Sequence, residues 1–98
     1  MDENELKKLK TRLAKLRNQV ANMTNAKLVS FAGALGRTRS KRGKEPTYIS
    51  ELLPYSLPIS IPGHKKINKF TAGSILDAFE KDIEELEEIL ENQKKKNG

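Results

Sequence analysis

Two stretches of this chain, one near each end, carry apolar residues at alternating spacings of three and four. Leu6, Leu9, Leu13, Leu16, Val20 and Met23 form the first; Leu76, Phe79, Ile83, Leu86 and Leu90 form the second, widened by Ile75 and Ile89. That spacing lines apolar side chains along one narrow stripe of an α-helix. Each stretch therefore predicts an amphipathic helix whose stripe must be covered, and the first, over residues 3–23, would be about 30 Å long. Flanking charges select the cover. Lys10, Arg12 and Arg17 border the first stripe, whereas Glu80, Asp82 and Glu87 border the second. Pairing either helix with its own copy sets like charges together; pairing the first with the last sets opposite charges beside the seam. An intramolecular buttress is the preferred arrangement and exchange of helices between chains the alternative, so the expected state is a monomer or a helix-mediated dimer.

Between the two stripes the pattern changes. Thr24 or Asn25 is placed to cap a second helix in which Leu28, Phe31, Ala32 and Leu35 share a face and Gly36 supplies the stop. With no Pro or Gly between them, the first two helices could also be one bent helix. From Arg37 the period falls to two: Arg37, Arg39 and Lys41 alternate with Thr38 and Ser40, Arg42-Gly43-Lys44 offers a turn, Thr47 to Ser50 alternates around Ile49, and Leu57, Ile59 and Ile61 alternate with Pro58, Ser60 and Pro62. Three short antiparallel strands are predicted, followed by a helix capped at Thr71 and a solvated tail. The fold class is α+β, in the order helix, three strands, helix, preceded by an additional N-terminal amphipathic helix. The segments are 1–24 for that helix, 25–91 for the α-β-β-β-α domain and 92–98 for a disordered basic tail. With helices on one face of the sheet, the other face is open. If Ile49 points inward, Arg37, Arg39, Lys41 and Tyr48 stand together on the open face.

Charge singles out the same region. The chain carries a net charge of +6, and residues 37–69 hold all of it: Arg37, Arg39, Lys41, Arg42, Lys44, Lys65, Lys66 and Lys69 against Glu45 and Glu51. Such a cluster reads as a phosphate-contacting face, with Tyr48 adding a stacking surface for RNA bases. The bland alternative is a solvated hairpin whose charges guard a sheet edge. His64, after Pro62-Gly63 and beside Lys65 and Lys66, is a candidate to donate to a phosphate or to exchange a proton with a 2′-hydroxyl or leaving oxygen. Glu45 is a candidate general base. With no cysteine and one histidine, neither a disulfide framework nor a conventional zinc site is expected. The carboxylates from Asp77 to Glu91 lie on polar helix faces and require no metal, and few aromatics argue against a large cofactor cavity, so no cofactor is expected. An acidic N-terminus leading into an amphipathic stretch, with no window long enough to span a bilayer, predicts a cytoplasmic protein with no membrane partner.

The stretch from Leu28 to Leu86 resembles the HicA toxin family, small ribonucleases of toxin-antitoxin systems with a fold like that of double-stranded-RNA-binding domains. The residues concerned are the short helix ending near Gly36, Lys41-Arg-Gly-Lys44, Leu57-Pro-Ile-Ser-Ile-Pro-Gly-His64 and Phe70-Thr-Ala-Gly-Ser-Ile-Leu76. The resemblance implies a double-stranded-RNA-binding-like core, RNA as ligand, an antitoxin protein as partner, and metal-independent cleavage of mRNA. It leaves the first 23 residues unexplained. Where such toxins carry Gly-Ser-His with a catalytic histidine, this chain has Gly43-Lys44-Glu45 and then Pro46, so the matching position is Glu45 and catalysis stays open. The rival reading is a non-catalytic protein-interaction module that binds an antitoxin or other partner, or a helical dimer with incidental basic charge.

Overall fold

The computed structural model describes residues 2–41, 46–53 and 56–97. Helix α1 (Glu3–Asn18) is capped by Asp2, whose side chain accepts a hydrogen bond from the Glu5 amide. A single 3-10 turn (Val20–Asn22) follows, then α2 (Asn25–Ala34), β1 (Arg37–Arg39), β2 (Thr47–Ser50), β3 (Ile59–Ser60) and the long α3 (Lys69–Asn97). The strands form one antiparallel sheet in the order β1-β2-β3. The described residues thus form an α+β chain, with three α-helices and a three-stranded sheet.

α1 and α2 are separate helices, and a tertiary contact parts them. The Met23 carbonyl accepts from the Ile67 amide, the Asn25 amide donates to the Lys65 carbonyl, and Thr24 pairs with Lys66 as an isolated antiparallel bridge. Thr24 is thereby held extended, and its hydroxyl accepts from the Lys27 amide as the cap of α2. α2 ends where expected: Gly36 adopts φ +85°, a left-handed conformation that glycine takes without a Cβ clash.

α3 departs from expectation at both ends. It begins at Lys69 rather than after Thr71, because the Asn68 side chain accepts from the Phe70 amide at 2.7 Å. It continues through Asn97, so most of the tail expected to be disordered is helical. α1 runs antiparallel beside it, and Glu3 pairs with Lys94 near its end.

A single core joins all the elements. Leu6, Leu9 and Leu13 of α1 bury against the stripe of α3 that includes Phe79, Ile83 and Leu86, with Leu16 and Leu90 packed at its margin. α2 adds Leu28 and Phe31, whose ring lies 5.1 Å from that of Phe79, and the sheet adds Tyr48, Ile59 and Ile61. The expected charge match along the seam is present in two of its three places. Lys10 pairs with Glu87 at 2.5 Å, and Arg17 bridges Asp77 and Glu80 at 3.0 and 2.7 Å. Arg12 instead lies over the Phe31 ring, 5.3 Å from its centroid, while Asp82 is engaged by the sheet.

Candidate nucleic-acid interface

The sheet register decides which basic residues face solvent. Arg37 pairs with Ser50, Thr38 with Ile49, Arg39 with Tyr48, and Tyr48 with Ile59. Tyr48 is 8% exposed and Ile49 40%, so the inward residue of β2 is the tyrosine. This reverses the expected orientation and removes Tyr48 from the open face. The open face carries Thr38, Ile49, Thr47 and Ser60, which are uncharged.

Arg37 is likewise removed from it. The residue is 4% exposed, and its guanidinium fills every donor position. Nε and Nη2 donate to the two carboxylate oxygens of Asp82 at 2.6 and 2.8 Å, Nη1 to the Tyr48 and Leu57 carbonyls at 2.9 and 3.2 Å, and Nη2 also to the Ser56 hydroxyl at 3.4 Å. Five N–H groups meet five acceptors, the complete inventory of an arginine side chain. Asp82 is itself 3% exposed and is not the solvated helix carboxylate expected of it. A signal for this burial lies in the sequence: Asp82 falls three residues after Phe79 and four before Leu86, on the apolar stripe of α3, where a carboxylate requires a buried partner.

The other cations lie elsewhere. Beyond the last strand pair, the Ser40 amide donates to the Thr47 carbonyl, and the Ile61 amide donates to the Pro46 carbonyl at 3.1 Å. Lys41, Pro46 and Ile61 therefore lie at the same end of the sheet, from which the loop to α3 departs. A shallow cleft of about 230 Å³ at this end is lined by Pro46, Ser60, Ile61, Pro62, Gly63 and His64. Pro46, just before β2, and the His64 loop, distant in sequence, meet here. Arg42, Lys44 and Glu45 lie outside the described residues.

The loop is held from below by α2. Besides the three backbone contacts to Met23, Thr24 and Asn25, the Asn25 side chain donates to the Pro62 carbonyl at 2.6 Å. These contacts leave His64, Lys65, Lys66 and Lys69 exposed. α2 and α3 both begin at this loop. Neither has an acidic residue in its first turn, whereas α1 has Glu3 and Glu5. Two positive helix ends thus add to the lysine charges. Among the described residues, Arg39, Lys41, Lys65, Lys66 and Lys69 have no carboxylate within ion-pair distance, in contrast to Lys10, Arg17, Arg37 and Lys94. The described residues contain no group of three or more His, Asp and Glu side chains able to hold a metal ion, nor any helix long and apolar enough to cross a membrane.

This pole of the molecule can accept polyanions. Its lysines suit phosphates, and the exposed imidazole of His64 can donate to one or exchange a proton beside it. No protein-family model, curated protein or solved structure matches the chain.

Proposed function

We propose that the chain is a cytoplasmic RNA-binding protein of the HicA-like toxin type, which engages RNA through the end of the sheet and the His64 loop rather than through the sheet's open face. One observation carries the reading: the exposed Lys65, Lys66 and Lys69, with no carboxylate partner among the described residues, gather where α2 and α3 begin. Unpaired lysines beside two helix N-termini gain most from neutralising phosphates and releasing counterions. The order α2-β1-β2-β3-α3 is compatible with a double-stranded-RNA-binding-like core. If the protein cuts RNA, the exposed His64 is the candidate to exchange a proton with a 2′-hydroxyl or leaving oxygen. Glu45 joins it through the resemblance alone.

The test is binding of labelled single-stranded and duplex RNA by the full chain over a range of salt, with and without EDTA. Affinity is expected to fall steeply with salt. Joint replacement of Arg39, Lys41 and Lys66 by Ala is expected to flatten the slope by about one unit for each phosphate no longer neutralised. Unchanged affinity and slope in the folded triple variant would reject the assignment. Cleavage, where observed, is expected to persist in EDTA and to slow in both His64→Ala and Glu45→Gln.

A second reading has one observation in its favour. Ile49 on the open sheet face, and Leu52 and Leu57 in the chain that follows β2, are exposed large apolar residues of the kind a protein partner such as an antitoxin would cover. A partner held there would survive high salt, which separates the two readings.

A further inference from the structure

Phe70 is 81% exposed in the first turn of α3, where it takes no part in the core. The buried stripe of this helix starts instead at Ala72 and runs through Ile75, Leu76 and Phe79. We propose that Phe70 is a stacking platform for an unpaired base, so that the pole described above takes single-stranded rather than duplex RNA. The proposal rests on the RNA-binding reading and extends it to the class of RNA.

Three features fit the ring for this task. Its backbone is fixed before any ligand arrives: the Phe70 amide is tied to the Asn68 side chain at 2.7 Å, the Ala72 amide to the Asn68 carbonyl at 2.8 Å, and the Ile67 amide to the Met23 carbonyl at 3.0 Å. A flat aromatic on a rigid support loses little freedom when a base stacks on it. The space beside the ring is open as well. Gly73 follows at i+3, on the same side of the helix, and nothing lies within 4 Å of the position a Cβ would occupy there. Finally, charge is at hand for the sugar-phosphate that a stacked base brings with it. Lys69 Nζ lies 5.9 Å from the ring centroid, and Lys65 and Lys66 precede it in the pinned loop.

These features discriminate between RNA forms. In a duplex every base is stacked on its neighbours and the helix presents phosphates and 2′-hydroxyls, so lysines can engage it but an aromatic ring cannot. In a single strand the bases can be splayed onto the ring, and stacking tolerates any base because each has a π-face.

The experiment uses the full chain with a fluorescein-labelled oligouridylate of about 12 nucleotides and an RNA duplex of about 16 base pairs. Phe70→Ala is expected to weaken oligouridylate binding on the order of 10-fold or more, with the salt slope unchanged because every lysine remains to neutralise its phosphate, and to leave duplex binding as it was. Phe70→Trp introduces a tryptophan into a chain that has none; its fluorescence is expected to be quenched by oligouridylate and not by duplex. Gly73→Leu, which fills the space beside the ring without altering charge, is expected to reproduce the loss seen with Phe70→Ala. If Phe70→Ala binds oligouridylate like the parent chain, or loses duplex affinity equally, stacking is overturned while the RNA reading stands. A parent chain that binds neither RNA overturns both.

Discussion

Arg37 shows how one side chain can be read correctly for charge and wrongly for place. Its alternation with Thr38 and Ser40 announces a strand, but Arg-Thr-Arg-Ser has no apolar member to say which side faces in, and a one-step change of face moves every side chain. The neighbouring pair Tyr48-Ile49 has the opposite ambiguity, since either suits the interior. Register settles both, by setting Tyr48 beside Ile59 and bringing Arg37 within reach of Asp82. Removing one member of a buried pair strands the other charge in the interior. Arg37→Ala and Asp82→Ala are therefore each expected to cost about 3–5 kcal/mol, seen as a lowered urea midpoint. Arg37→Lys is expected to rescue little, because an ammonium offers three donors where five acceptors wait. Joint replacement by Met and Leu is expected to recover part of the loss, since no charge is left unpaired but the Tyr48 and Leu57 carbonyls and the Ser56 hydroxyl lose their donor. A single variant as stable as the parent would show that the pair is not the buried clasp described.

At the level of elements, the pairing of α1 with α3 is legible in the sequence and the helix ends are not. Apolar periodicity is local, and nothing in the fold overrides it along these seams. The ends depend on partners far along the chain: Met23, Thr24 and Asn25 leave the helical path to bond the loop at 65–67, and Glu3 meets Lys94 at the far end of α3. Arg12 stands on the predicted flank but finds an aromatic face, because Asp82 is already taken. Burial of leucines supplies the energy of this packing and charge supplies its direction. Deleting residues 2–18 exposes Ile83, Leu86 and Leu90, and is expected to cost on the order of 2–5 kcal/mol or more and to promote association. Reversing Lys10 and Arg17 to Glu removes half-exposed pairs and is expected to cost roughly 1 kcal/mol or less per pair, diminishing as salt rises. Urea melts with sedimentation measurements separate the two. A truncated chain that remains as stable and monomeric as the full one would mean that α1 serves something outside the fold.

Across the whole molecule, which extends 47 × 32 × 17 Å, ion pairs join α1 to α3 at Lys10 and Arg17, while Lys65, Lys66 and Lys69, without carboxylate partners among the described residues, gather where α2, α3 and the end of the sheet meet. The concentration of basic residues between 37 and 69 is visible in the sequence, but its assembly is not. It requires strand pairing to bring Lys41 to the end of the sheet from which the His64 loop departs, and the clamp on Met23–Asn25 to fix the lysine loop. Because that arrangement exists only in the folded chain, a saturating oligoribonucleotide is expected to raise the melting temperature, by an amount equivalent to about 2.7 kcal/mol at a hundredfold excess over Kd. Circular dichroism melts at rising salt are expected to show the shift disappear, and a shift that persists in high salt would contradict a phosphate-directed interaction. The bond between Arg37 and Asp82 also bears on how the chain gains and loses its shape. It joins residues 45 positions apart, so it requires α3 to be docked against the sheet. Substitutions there are expected to lift the unfolding arm of a chevron plot and leave the refolding arm nearly unmoved, making this one pair a determinant of how long each folded molecule lasts.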